Sequence, residues 1–277
     1  MEVAKRTSSY RRLFTGILGG TSFLFLLWYV PWGYTVVLLL LAWVSLLEFL
    51  YAQRGTIVQP LSLGPFLFGS GVILVLFLHF LPHYFIYIIG CDFLNISEYP
   101  YVLYFALLFF LLLSVASSNR VDFAHASQIL VAACYLGVGF GSMAFFLWEV
   151  GPLFSLCVFA MIWINDTAAY IMGRKWGRTP LLLGISPGKT VEGALGGVGM
   201  ALVMGLFLMV WWPGLFSFSM VVLVALAAPI GDLIQSAWKR SFGVKDFGFL
   251  LPGHGGILDR FDSMLLSFLM LYLLRVV

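Results

Sequence analysis

Long apolar runs broken by short polar ones dominate this chain from residue 13 onward. Nine of them approach the roughly 20 residues that a helix needs to cross the hydrocarbon core of a bilayer. They are Leu13–Val30, Trp32–Tyr51, Leu63–Leu81, Tyr99–Ser117, Ser127–Trp148, Pro152–Met172, Val191–Trp212, Phe216–Ser236 and Leu258–Val276. Between the third and fourth, Pro82 to Pro100 holds only the short apolar run Phe85–Ile89, too brief to span, and is expected to be a surface or re-entrant loop. The pattern predicts an all-α, polytopic integral membrane protein with about nine transmembrane helices.

Composition excludes the alternative of a water-soluble fold. The chain is 62% hydrophobic and 10% charged, whereas soluble domains carry roughly a quarter charged residues. Cys91, Cys134 and Cys157 lack metal-type pairing and read as packing residues. Lys5, Arg6, Arg11 and Arg12 precede the first apolar run, but no small-residue cleavage site follows, so this run is expected to stay as the first span.

The net charge of +3 is small, and the placement of the charges says more than the total. If the N-terminus is cytoplasmic, then Arg54, Arg120, the Arg174–Arg178 cluster, Lys189 and the Lys239–Arg260 region all fall on the cytoplasmic side. Loops on the other side, around Pro31, Asp92 with Glu98, Glu149 and Pro213, contain no Lys or Arg, which is the expected bias. Trp28, Trp32, Trp148, Trp211 and Trp212 then lie near the outer interface, where amphipathic rings are favoured. No repeat or low-complexity linker divides the chain. Residues 1–277 are therefore expected to form one integral membrane domain. Residues 1–150 would supply scaffold and dimer or lipid contacts, and residues 151–277, which hold most of the charged sequence, would carry the chemistry.

The richest constellation runs from Gly231 to Ser263 as GDLIQSAWKRSFGVKDFGFLLPGHGGILDRFDS. Asp232, Ser236, Lys239 and Arg240 recur at threes and fours and so share a helix face. A carboxylate inside a span costs roughly 2.5 to 3.5 kcal/mol on insertion scales, so Asp232 needs a compensating cation, either a metal or a lysine. Asp259, Arg260 and Asp262 open the last span near the positive end of its dipole. Between them lie Lys245, Asp246, His254 and the pair Gly255 and Gly256, a glycine-rich turn able to present backbone N–H groups to an anion. Carboxylates at the membrane edge, four basic residues and an anion nest are what a Mg²⁺-dependent phosphoryl or nucleotidyl transfer requires.

A second motif spans Asn165 to Gly197. The fragment PGKT invites a P-loop reading, but that loop needs a glycine separated by four residues from its Gly-Lys pair, and Leu183 holds that place. What remains is Ser186, Lys189, Thr190 and Glu192 at the start of a helix, suited to gripping phosphates through side chains and backbone N–H groups. Asp166 is either a further metal ligand or a partner of Arg174. Gly193, Gly196, Gly197 and Gly199 form a close-packing helix face.

The pattern S-x-x-K-R-x-x-x-x-K-D-x-G-x-x-L-P-x-H-G-G-x-x-D-R-x-D from Ser236 to Asp262 resembles the signature of the phosphatidate cytidylyltransferase family, as do DTAAYIMGRKWGR and ISPGKTVEG upstream. The resemblance implies a helical membrane fold of a bacterial inner membrane, a homodimer in at least some members, and the reaction of CTP with phosphatidic acid to CDP-diacylglycerol and pyrophosphate. It implies a metal centre on Asp232 and Asp259 with Mg²⁺, a second cation such as K⁺ being left open. No nucleic-acid partner is expected. Catalytic candidates are Asp232, Lys239, Arg240, Lys245, Asp246, His254, Asp259, Arg260 and Asp262. Substrate-binding candidates are Asp166, Ser186, Lys189, Thr190, Glu192, Ser236, Gly255 and Gly256. Two other classes fit parts of this pattern: a related CTP-using enzyme (a membrane lipid kinase or a CDP-archaeol synthase), and an ion or phosphate transporter. Clustering of the polar groups at one membrane edge favours an enzyme.

The charge asymmetry has a direct test. Reporter fusions should read cytoplasmic at Arg54 and Gly253 and external at Gly151 and Val277; an external reading at Gly253 would remove the site from CTP.

Overall fold

The computed structural model describes residues 16, 18–53, 63–81, 107–108, 111, 115, 123–248 and 255–274. Eight helices carry it: α1 (Leu18–Tyr29), α2 (Pro31–Gln53), α3 (Leu63–His79), α4 (Phe123–Glu149), α5 (Pro152–Trp176), α6 (Val191–Trp211), α7 (Phe218–Ser241) and α8 (Leu258–Leu273). They coincide with eight of the nine apolar runs. The run Tyr99–Ser117 lies almost wholly outside the described residues, as does the segment Pro82–Pro100. Of the eight, α2, α4, α5, α6 and α7 are both long enough and apolar enough to cross a membrane.

The helices group into two compact units. The first comprises residues 1–149 with 247–258, and in it α2, α3 and α4 pack on one another. Glycines allow the close approach: a Cβ at Gly137 would stand 3.2 Å from the Ile73 backbone, and one at Gly141 would lie 2.6 Å from the Phe80 ring. At one end of the bundle Trp32 and Trp148 meet with ring centroids 4.4 Å apart, and the Trp148 indole N–H donates to Thr35 Oγ1 at 3.0 Å. Two of the five tryptophans assigned to one interface on charge grounds thus occur together.

One feature of this unit lies outside the sequence expectations. Glu48, in the second-to-last turn of apolar helix α2 and 4% exposed, accepts the backbone N–H groups of Ile257 and Leu258, each at 2.9 Å. A Cβ on Gly248 or Gly256 would fall 2.6 or 2.5 Å from the same carboxylate, so a larger residue at either place would push the carboxylate off its N–H donors. The glycine pair assigned to an anion nest therefore has Gly256 packed on a carboxylate. Its backbone is shaped here by Glu48.

The second unit comprises residues 150–246 with 259–277. Gly151 (φ 109°) turns the chain and Pro152 starts α5 at the position where a missing N–H costs nothing. Helices α5, α6 and α7 pack mutually. Their core includes the stacked pair Phe154–Phe216 at 5.4 Å and the contact of Phe159 with Phe268 of α8 at 5.2 Å. Cys157 is buried and Cys134, in the first unit, half-buried, both free as expected for packing residues; Cys91 is outside the described residues.

The segment from Ser186 to Thr190 is not the start of a helix, as its residues had suggested, but a strand. It is β2, paired antiparallel with β1 (Pro180–Leu182) in the register Pro180↔Thr190 and Leu182↔Ser186. Ile185 N–H closes the turn on Leu182 O at 3.2 Å. Pro187 can sit in β2 because a two-stranded sheet has only edge strands. The helix proper starts one residue later, with Thr190 as its N-cap: Oγ1 accepts from Gly193 N at 3.2 Å.

Truncating Glu48 would strand two N–H donors, that of Leu258 buried and that of Ile257 half-buried, at about 1–3 kcal/mol for the buried one. Glu48→Ala should lower the thermal midpoint of the detergent-purified protein by several degrees and Glu48→Gln, which keeps an acceptor, clearly less; equal midpoints for all three proteins would show that the carboxylate is not needed.

Candidate active site

The site is built in the second unit, and its first determinant is a proline. Pro229, inside α7, has no N–H to give, so the carbonyl four residues earlier, that of Ala225, loses its helical partner. Buried Asn165 of α5 replaces it, donating Nδ2–H to Ala225 O at 2.9 Å. Gly197 of α6 closes over the same side chain, where a Cβ would be 2.5 Å from Asn165 Oδ1. With Asn165 held there, the next residue of α5, Asp166, stands about 100° further round the helix and lines, beside Asn165, a cavity of about 570 Å³. Gly193 and Gly196 also meet α5 closely, but Gly199 has open space around it and does not belong to the packing face.

Four carboxylates, Asp166, Asp232, Asp259 and Asp262, line this cavity together with Arg174, Lys189 and Arg260. α7 and α8 bring their acids together because they touch at Gly231, where a Cβ would lie 2.5 Å from Asp262 O. Asp166, Asp232 and Asp262 are close enough to repel one another, while Lys189 attracts Asp166 and Lys239 attracts Asp262. The hairpin delivers Lys189 from its strand to Asp232, which it pairs and hydrogen-bonds; Ser236 Oγ–H adds a contact to the other oxygen of Asp232 at 3.3 Å. Lys239 pairs with Asp259 at 2.9 Å.

The two ion pairs differ in burial, and that decides what each can do. Lys189 and Asp232 are 32% and 28% exposed toward the cavity, so an incoming phosphate or cation can compete for them. Lys239 and Asp259 are only 11% and 5% exposed. A pair so enclosed is a fixed element, and breaking it by removing one partner is costly.

Other expected site residues are placed elsewhere in the chain. Arg240 donates from Nε to Ile185 O at 3.0 Å and from Nη1 to Val244 O at 3.3 Å, tying the hairpin turn to the end of α7. Glu192 accepts from the N–H groups of Arg178 and Thr179 at 3.0 and 3.1 Å, which holds the chain between α5 and β1. Ser186, Lys245 and Asp246 do not line the cavity, and Gly255 and Gly256 belong to the first unit. His254 lies outside the described residues. Asp166 and Arg174 both line the cavity, but no ion pair joins them.

The residues fit a hard divalent cation in one respect and not in another. Mutually repelling carboxylates on a shared cavity are the donors Mg²⁺ prefers. Yet among the described residues no three His, Cys, Asp or Glu side chains converge in a metal-holding group. Mg²⁺ asks less than a closed protein cage, since one or two carboxylates can hold it with water and substrate phosphates completing its shell.

Apolar helices of membrane-crossing length around a cavity of paired acids and bases define a helical membrane protein with a polar site. Its lineage is narrower than that: a family model described as the cytidylyltransferase family matches residues 10–277, and the chain belongs to that family. Among curated proteins it is similar to the phosphatidate cytidylyltransferase of Staphylococcus saprophyticus, 40% identical over 179 residues, covering 60% of this chain and 66% of the relative. That of Staphylococcus haemolyticus is 40% identical over 174 residues with the same coverage. That of Staphylococcus aureus is 38% identical over 174 residues, covering 59% of this chain and 64% of the relative. The matched region thus spans just under two thirds of these relatives.

Asp259 offers a stability test. Lys239→Met should destabilise the protein by about 3–5 kcal/mol, the cost of an uncompensated buried charge. Adding Asp259→Leu should recover much of that loss in chemical denaturation, whereas strictly additive losses would mean that the two charges do not depend on each other.

Proposed function

We propose that this protein is a phosphatidate cytidylyltransferase: it joins the cytidylyl group of CTP to phosphatidic acid, giving CDP-diacylglycerol and pyrophosphate. The observation that carries this reading is the cavity, in which acids and bases from α5, β2, α7 and α8 converge in a member of the cytidylyltransferase family whose similar relatives bear that name. In the reaction a phosphate oxygen of phosphatidic acid attacks the α-phosphorus of CTP. The new P–O bond forms as the bond to the β-phosphate oxygen breaks, and pyrophosphate carries away the electron pair. No protein nucleophile is needed, because the attacking phosphate is already ionised near neutral pH.

The chain's own residues bind, orient and neutralise. Lys189 leaves Asp232 to meet a CTP phosphate, a compact cation in a small site. Arg260 balances the charge that builds on the departing pyrophosphate. Lys239 acts through Asp259, which it holds in place. Asp232 and Asp259 would hold Mg²⁺, and the metal when bound would offset the mutual repulsion of the substrate phosphates. The reading includes nine spans, a cytoplasmic N-terminus and a site on the cytoplasmic side of a bacterial membrane, supported by the Lys/Arg asymmetry of the loops. It includes a homodimer, which rests on the family resemblance.

Purified protein given labelled CTP, Mg²⁺ and phosphatidic acid should yield CDP-diacylglycerol and pyrophosphate. Release of CDP would make it a lipid kinase instead, and uptake into sealed vesicles without nucleotide turnover would make it a transporter. Asp232→Asn and Asp259→Asn should each abolish most activity, with the double variant scarcely worse than either, since residues that serve one ion act as a unit. EDTA should stop turnover and Mg²⁺ restore it; independent multiplicative losses, or turnover in chelator, would overturn the shared metal.

A further inference from the structure

The bases on the cavity are not equivalent. Lys189 is paired with Asp232, and Arg260 has contacts of its own. Arg174 is different: no carboxylate among the described residues pairs with it, and its neighbour is the Tyr170 hydroxyl, to which Nη1 donates at 3.4 Å. It is thus a permanently charged group that faces an acidic cavity with no counter-anion among the described residues.

Its surroundings on α5 say what anion it suits. Trp163, Tyr170 and Arg174 follow one another at spacings of seven and four, so they share a helix face, over roughly 16 Å at 1.5 Å per residue. Trp163 and Tyr170 both line the cavity and are exposed, Tyr170 to 66%. α5 is one of the helices apolar and long enough to cross a membrane, and Arg174 stands in its last turn. The face therefore runs from an aromatic, membrane-depth end to a cationic edge. Such a gradient matches an amphiphile whose phosphate meets a guanidinium and a phenol while its chains lie along aromatic rings. An arginine that served only to anchor the helix at the interface, or to complement its dipole, would have no reason to face the cavity.

We propose that Arg174, with Tyr170 beside it, binds the phosphate of the lipid substrate, and that the lipid reaches the cavity along the α5 face from Trp163 to Arg174. This deepens the functional reading above and rests on it for the identity of the lipid. The nucleotide phosphates are assigned to Lys189, so the two substrates separate by residue.

The test is a split in Michaelis constants, measured in mixed micelles with the lipid and nucleotide varied in turn. Arg174→Ala should raise KM for phosphatidic acid by roughly tenfold or more, the size of one lost hydrogen bond to a charged group, and leave KM for CTP within about twofold. Arg174→Lys should recover part of the loss, because it keeps charge but not the fork. Tyr170→Phe should show the same selectivity with a smaller effect. Direct binding separates this idea from the reading it rests on. In detergent, wild-type protein should retain phosphatidic acid over diacylglycerol, which lacks the phosphate, and Arg174→Ala at unchanged melting temperature should lose that preference. A rise in KM for CTP alone, or unaltered lipid discrimination in folded Arg174→Ala, would overturn the assignment. Arg174-dependent discrimination in a protein that makes no CDP-diacylglycerol would uphold the lipid subsite and reject the reaction.

Discussion

A carboxylate placed inside an apolar helix must find a positive charge or hydrogen-bond donors, and the second unit is organised around how Asp232 finds a charge. Its partner, Lys189, lies 43 residues away, on a strand of a small hairpin between two membrane-length helices. The hairpin has no core of its own. It is held by backbone pairing, by Glu192 at its base and by Arg240 at its turn. Those residues fix where the lysine arrives. Because this pair stays partly open to the cavity while Lys239 and Asp259 are enclosed, one pair is able to exchange partners and the other to hold its place.

The same logic of compensation operates in the backbone. Pro229 gives up a hydrogen bond in α7, and the carbonyl it orphans is repaired from α5 by Asn165. A local defect so becomes a tertiary bond. It locks the rotation of α5 and, with it, the direction of Asp166. Glu48 does comparable work in the first unit by accepting N–H groups at Ile257 and Leu258. In an apolar medium a polar group without a partner is expensive, so the Ala225 carbonyl and the Ile257 and Leu258 N–H groups each gain from their side-chain partners.

Much of this was legible in the sequence. Helix positions were, because lipid demands long apolar runs whatever the packing, and eight of the nine runs correspond to described helices. Asp166, Lys189, Thr190, Asp232, Asp259, Arg260 and Asp262, named from motif and spacing, come together on one cavity. The hairpin was not legible, since strands of three and five residues are too short to show a period and Pro187 and Gly188 argue against one. Glu48 carried a signal that was available, a lone acid in an apolar span, and Pro229 another, an orphan carbonyl four residues before it.

The sequence by itself determined that this chain is a helical membrane protein with most of its charged residues in the C-terminal half, since both are read directly from where apolar and charged residues fall along the chain. It also supplied the set of acids and bases. Which acid meets which base was decided only by the tertiary structure. Lys189 with Asp232, Lys239 with Asp259, and Arg174 with no acid among the described residues are outcomes of helix rotation and depth. Those are set by glycine contacts such as Gly231 on Asp262 and by the Asn165 bond. Charges so far apart in sequence pair by where packing puts them, and spacing along the chain does not encode that.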